Sequence, residues 1–248
     1  MKSKRILLMK DILLEAAKRC RVLYDKEIIV KYKAPNNPVS NIDVEMNDLI
    51  KQGIRKYFPD DNWCSEEDPF QKNNSKFTWI VDPIDGTRSL IKKIPEFTVS
   101  MALMYESEIV AGGVINPITK ESWFVGEESN VTDLMDQSII RRKSQKDILV
   151  SYSQEKSDLD QLKGMGSIAL RMCKIVSGEG LAAISLRYIH SWDIAAAYII
   201  AKKANLVITN CKGEAIMFED LYKKINGVVV SLRDEHREIL DAIGQRRI

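Results

Sequence analysis

Over residues 4–24, Leu8, Ile12, Ala16, Cys20 and Leu23 recur every three or four positions, which predicts an amphipathic helix. A second helix is expected over 43–57, with Val44, Ile50, Ile54 and Tyr57 inward and "PDDN" ending it. Between them, "KAPNNPVSN" (33–41) reads as a loop, because prolines and asparagines punctuate it. "FTWIV" (77–81) is a β-rich run and predicts a buried strand. "EFTVSMALMYESEIVAGGVINP" reads as two strands joined by a tight turn near Glu106–Glu108, and "ESWFVG" as a third. This half is helices over a largely antiparallel sheet.

The segment 127–146 is polar and irregular and contains Arg141, Arg142 and Lys143. It divides an N-terminal α+β subdomain (1–145) from a C-terminal α/β subdomain (146–248). Beyond it, strands at "DILVSYS", "LAAIS", "NLVITN" and "NGVVVS" alternate with helices at 167–176, 193–204 and 233–244. Such alternation suggests helices layered on a mixed sheet. The expected fold class is an α+β/α/β layered sandwich, in the order α-β-α-β-α.

Composition narrows the function classes. Hydrophobic residues make up 45% of the 248, enough for a sizeable core. Lys and Arg number 37 against 35 Asp and Glu, so the net charge is +2 and gives no general attraction to nucleic acid or membrane. The basic clusters Lys2–Arg5 and Arg246–Arg247 read as solvated tails. Cys20, Cys64, Cys173 and Cys211 lie far apart with no CxxC spacing, so a thiolate zinc site is not indicated. Buried free thiols in a reducing cytoplasm are the plain expectation. Lys10 and Asp11 interrupt the N-terminal apolar run, and no stretch reaches the roughly 18 apolar residues of a membrane span.

The chemistry is concentrated in "WIVDPIDGTRSL" (79–90). Asp82 and Asp85 follow the strand at 77–81, Pro83 biases Asp82 to an extended backbone, Gly86 permits a tight turn and Thr87 suits a helix start. Two unit charges about 4 Å apart repel by about 4 kcal/mol at an effective dielectric of 20, so a cation is expected to share the site. The N–H groups of Gly86 and Thr87 suit an anion. Together they describe a metal-assisted phosphate site. The plainer alternative makes Asp82 a strand-end turn residue and Asp85 a helix cap.

"DPIDGT" resembles the signature of the inositol monophosphatase superfamily of magnesium-dependent, lithium-sensitive phosphatases. "WDIAAA" (192–197) resembles the family's second signature, and "SEED" (65–68) the acidic pair before the first. "GEES" (126–129) is a decoy: chain order favours Glu66, and Glu127 and Glu128 read as a solvated turn. Asp193 alone could be a cap on the helix 193–204. Asp43, in "PVSNID", matches a family aspartate, with a helix cap as the plainer alternative.

The resemblance implies that one ion uses Glu66, Asp82 and the carbonyl of Ile84, and a second uses Asp82, Asp85 and Asp193. Glu66, Thr87 and Asp43 would be the catalytic set, with Thr87 and Asp43 orienting a water for in-line attack. Neither His190 nor His236 is required. Four carboxylates and two magnesium ions leave a phosphate dianion unbalanced, so a third, weaker ion is expected on Glu66 and Asp43. Gly86, Thr87, Gly166, Ser167 and Asp193 are the expected substrate contacts.

The ester is less defined. Inositol phosphatases usually carry a glutamate about seven residues before the Trp-Asp aspartate, where this chain has Leu186 and Arg187. Arg187 could pair with a second phosphate or be a surface arginine. "GTRSLIKKIPEFTVSMAL" and "ILVSYSQEKSD" resemble the 3'(2'),5'-bisphosphate nucleotidase branch. Pro35 and Asn37 depart from that branch's Asp and Ser, and inositol 1-phosphate and sugar bisphosphates stay open. Some relatives act as partners in protein or RNA complexes, but the complete ligand set favours an enzyme. A small phosphorylated substrate and a homodimer are the partners the resemblance implies.

Overall fold

The structure, a computed structural model, describes residues 2–126, 130–139, 147–154 and 162–245. The first helix, α1 (Lys2–Tyr24), leads into a two-stranded antiparallel hairpin, β1 (Val30–Ala34) and β2 (Asn37–Ser40), and then α2 (Asn41–Arg55). Then come β3 (Asn62–Ser65), β4 (Phe77–Asp85), the short α3 (Thr87–Ile91), β5 (Thr98–Tyr105), β6 (Glu108–Ile115) and β7 (Ser122–Val125). The C-terminal half runs β8 (Ile148–Val150), β9 (Leu162–Gly164), α4 (Ile168–Val176), β10 (Ala182–Ile189), α5 (Ser191–Lys203), β11 (Val207–Thr209), β12 (Ile225–Ser231) and α6 (Arg233–Gln245).

Strands β3 to β7 form one sheet in sequence order, antiparallel except for the parallel β3–β4 pair. The second sheet has the order β11-β12-β10-β8-β9 and mixes parallel with antiparallel pairs. Strand periodicity divides the side chains between layers. On β5, Val99, Met101 and Leu103 join the cluster under α1 and α2, while Ala102 and Met104 join the central cluster with α4 and α5. On β12, Val228 and Val230 face that same centre, and Val229 packs with Ile239 of α6. The layers are therefore helix, sheet, helix, sheet, helix, as expected.

Helices α4 and α5 form the central layer, and the alanines of α5 let it lie close to the first sheet. A Cβ on Gly112 would stand 2.7 Å from the carbonyl oxygen of Ala196, so β6 needs glycine there.

Several expectations are corrected. The presumed loop 33–41 contributes to a hairpin, whose tip is turned by Asn36 at φ 62°. Val44 and Tyr57 face solvent rather than the core. Lys2–Arg5 is the first turn of α1, not a tail, and Arg5 is buried in an ion pair with Asp61. The chosen boundary at 145/146 and the decoy Glu127–Glu128 lie outside the described residues, as do Arg141–Lys143 and Arg246–Arg247. Among the described residues, no helix is long and apolar enough to cross a membrane.

His236 of α6 is buried, with its ring nitrogens 2.8 Å from Ser231 Oγ and 2.9 Å from Thr209 Oγ1. Burial pushes its pKa below the ordinary value of 6.5. The folded state therefore favours the neutral ring. This contribution is complete above the unfolded pKa and is lost as pH falls through 6.5 toward the folded value. The melting temperature of H236N should consequently decline less between pH 7 and pH 5 than that of the native protein, in parallel thermal scans.

Candidate active site

Strand β4 does not stop at Val81. It continues through Asp82, Pro83, Ile84 and Asp85, and its register against β5 slips there. Asp82 pairs with Ser100 and Asp85 with Thr98, so three steps on β4 match two on β5. In a regular strand, residues three apart point to opposite faces. The extra residue cancels that alternation and lets both carboxylates reach one cavity. Pro83, which has no N–H to give, is tolerated at such an irregularity.

Glu66 comes next to them through β3. Ser65 pairs with Val81, and the Glu66 amide donates to the Val81 carbonyl at 3.3 Å. Asp193 arrives from the other half, on the first turn of α5. It is not the cap itself but the third residue of the helix, and its Oδ2 accepts from the His190 amide at 2.6 Å. Trp192 stacks on His190, with ring centroids 4.4 Å apart.

The chain then turns. Gly86 sits at φ 98°, a left-handed conformation that favours glycine, and no side chain caps α3 behind it. Thr87 Oγ1 donates to Asp43 Oδ1 at 2.7 Å. Asp43 also closes a capping box on α2, because the Ser40 amide donates to its Oδ2 at 2.9 Å. The helix-cap and site readings of Asp43 therefore coexist. Asp43 stands behind the cavity wall and reaches it through Thr87.

Ser167 is buried as the N-cap of α4, and its hydroxyl donates to Asp85 Oδ2, which also accepts from the Ala169 amide at 2.7 Å. Its observed contacts therefore hold Asp85 in place, whereas Gly166 does line the cavity. A Cβ on Gly166 would fall 2.3 Å from the Glu96 carbonyl oxygen, so only glycine fits.

Two supporting residues were not anticipated. Arg171, one turn into α4, is buried; it donates to the Ile184 carbonyl at 2.5 Å and lies near Asp85 and Glu96, whose charges favour its cationic form. Burial nevertheless lowers its pKa to about 10. Its spacing of four from Ser167 was the available signal. Lys33, on the hairpin, donates to Glu66 Oε1 at 2.9 Å and Glu67 Oε1 at 2.8 Å, and the loop reading of this segment concealed it.

Glu66, Asp82, Asp85 and Asp193 thus line one cavity of about 580 Å³, together with Gly86, Thr87 and the exposed Arg187 of β10. Burial raises the pKa of Asp82 and Asp193 well above the ordinary value, and neighbouring carboxylates raise both further. Asp85 and Glu66 are also raised, first by burial, against their bonds to Ser167 and Lys33. Added positive charge would relieve this repulsion. Among the described residues, no three His, Cys, Asp or Glu side chains are gathered closely enough to hold a metal ion by themselves. An open ring of oxygen donors is nevertheless compatible with magnesium, which keeps several of its waters. The donor set therefore fits a hard divalent cation, and Ile84 adds a lining residue between the aspartates.

An acidic cavity with a glycine turn beside it is the arrangement of a metal-dependent phosphatase. The profile of the inositol monophosphatase family matches residues 6–247, and the chain belongs to that family. It is a phosphatase of a magnesium-dependent, lithium-sensitive class that acts on small phosphate substrates. The fructose-1,6-bisphosphatase/inositol-1-monophosphatase of Thermotoga maritima is 29% identical over 220 residues, covering 84% of this chain and 82% of the relative. The 3'(2'),5'-bisphosphate nucleotidase CysQ of Escherichia coli K12 is also 29% identical, over 78% of this chain and 85% of the relative. The solved structure of the Thermotoga maritima IMPase TM1415 superposes with a TM-score of 0.84 at 25% identity, covering 98% of this chain and 97% of the other.

Proposed function

We propose that this phosphatase hydrolyses small esters carrying two phosphates, with 3'(2'),5'-bisphosphate nucleotides as the leading class. Arg187 carries this reading: it lines the same cavity as the four carboxylates, and Leu186 and Arg187 stand about where an inositol phosphatase usually has a glutamate. Glu66, Asp82, Asp85, Asp193 and the Ile84 carbonyl would hold magnesium. Bound there, magnesium supplies charge neutralisation and an acidified water. Two ions balance the four carboxylates, and a third, anchored on Glu66, would balance the phosphate dianion.

The protein's own groups orient the reaction. Thr87 commits its hydroxyl proton to Asp43, so its oxygen can accept a hydrogen bond from a water. That fixes the water's direction for in-line attack on phosphorus. The uncapped first turn of α3 offers N–H groups to the phosphoryl oxygens. Asp85 keeps its place through Ser167 and Ala169. A cytoplasmic setting accords with four free thiols, and a homodimer is carried from the family resemblance.

The test is a magnesium-dependent substrate panel of 3'-phosphoadenosine 5'-phosphate, fructose 1,6-bisphosphate and inositol 1-phosphate. Both bisphosphates should exceed inositol 1-phosphate in kcat/KM, with the nucleotide highest. A charge-assisted hydrogen bond contributes roughly 1.5–3 kcal/mol. R187A should therefore cost the bisphosphates about tenfold or more and leave inositol 1-phosphate nearly unchanged. Equal losses would remove Arg187 from substrate recognition. Faster hydrolysis of fructose 1,6-bisphosphate or of inositol 1-phosphate by the native protein would assign it to that alternative.

A further inference from the structure

Arg187 is not the only cation on the cavity wall. Arg88 and Lys92 also line it, from the side of α3. Arg88 is the second residue of that helix and Lys92 its C-terminal cap, four positions on. That spacing places them on one face, one above the other. Both are exposed. Arg88 reaches the Asn36 carbonyl at the hairpin tip, and among the described residues neither cation has a carboxylate partner.

The contrast with other basic residues is informative. Lys33, in the same region, is committed to Glu66 and Glu67. Lys51 pairs with Asp68, and Lys174 with Glu121 and Glu179. Acidic groups are abundant in the cavity itself, yet they gather on β4, after β3 and at the start of α5. The cavity therefore has both an acidic set, suited to cations, and a basic set, Arg88, Lys92 and Arg187, which has no acidic partner among the described residues and suits an anion. A phosphate ester reacting at the carboxylates would present its remaining anionic group to the basic wall.

We infer that Lys92, with Arg88, forms an anion-reading edge of the cavity that holds the phosphate left unreacted when a bisphosphate is hydrolysed. This rests on the two-phosphate reading of the site. Lysine acts here as a point charge, without the fixed fork of arginine. Its expected effect is on binding, because the distal phosphate keeps its charge from ground state to transition state. Lys92 is a cleaner probe than Arg88, since replacing Arg88 would also release the hairpin carbonyl.

The experiment measures kcat and KM of the magnesium-loaded native protein, K92A, K92E and K92R on 3'-phosphoadenosine 5'-phosphate, fructose 1,6-bisphosphate and inositol 1-phosphate. K92A should raise KM for the bisphosphates about fivefold to tenfold and K92E more, with kcat within about twofold. K92R should return KM close to native, and inositol 1-phosphate should be indifferent to all three changes. A parallel titration measures binding of adenosine 5'-monophosphate, which retains one phosphate, against uncharged adenosine. K92E should weaken the nucleotide alone. Equal effects on mono- and bisphosphates, or unchanged nucleotide binding in K92E, would overturn the anion edge. If the native protein prefers inositol 1-phosphate while K92E still weakens adenosine 5'-monophosphate, the two-phosphate reading fails and the anion edge stands.

Discussion

Asp85→Asn should lower kcat by at least about 100-fold while leaving the fold intact. Changes in groups that merely support metal ligands already cost about 10–100-fold, and Asp85 is proposed as a ligand itself. Asparagine keeps the shape and one carbonyl oxygen, so the Ser167 hydroxyl and Ala169 amide retain an acceptor. What disappears is one negative charge in a buried, mutually repelling set. Without metal, the melting temperature should therefore stay level or rise. With magnesium, the native protein should gain stability by mass action and the variant should gain less. Turnover assays and thermal scans with and without magnesium check both halves. A kcat within fivefold of native would remove Asp85 from the site.

The residues that carry this prediction were legible in the sequence, but the way they are held was not. "DPIDGT" announced paired carboxylates and a turn, and "WDIAAA" and "SEED" supplied the remaining acids. The bulge that brings Asp82 and Asp85 to one side depends on the register of β4 against β5. No pattern within β4 alone encodes that register. The family resemblance implies that Ser167 touches substrate, through a segment in which a Gly-Ser pair opens a helix. The structure gives its hydroxyl to Asp85, a contact 82 residues away in sequence.

The layers were similarly half visible. Apolar runs at 77–81 and 98–115 mark strands of the first sheet, while β3 ("NWCS") and β9 ("LKG") carry no apolar run to mark them. In the hairpin, the prolines and asparagines of 33–41 signal a loop and outweigh its two short extended runs. Val44 and Tyr57 fit a helical period, but Val44 falls on the side of α2 turned away from α1 and β4, and Tyr57 lies beyond the helix's C-terminal cap; both are exposed. Arg5 looked like part of a basic tail, since nothing nearby in sequence could neutralise it.

That last residue yields the second large prediction. Asp61→Ala should destabilise the fold by about 3–5 kcal/mol, the cost of stranding one member of a buried ion pair. Arg5 Nε and Nη2 donate to Asp61 Oδ2 and Oδ1 at 2.7 and 2.8 Å. Asp61 also accepts from Trp79 Nε1 at 2.9 Å and Ser75 Oγ at 2.8 Å. The guanidinium lies over Phe58 and Phe77, 3.9 Å from each ring centroid, and has little water to turn to. Alanine would take from a buried cation, an indole N–H and a hydroxyl the carboxylate that Asp61 supplies to each. In a chain of this size the melting temperature should fall by roughly 6–20 °C. Removing the stranded charge as well, in the double variant R5M/D61A, should recover part of the loss, because the partners act as a unit. None of these groups lines the catalytic cavity. At temperatures where D61A remains folded, its kcat should therefore stay near native, the reverse of the D85N result. A melting temperature within about 2 °C of native would show that the pair contributes little to the fold.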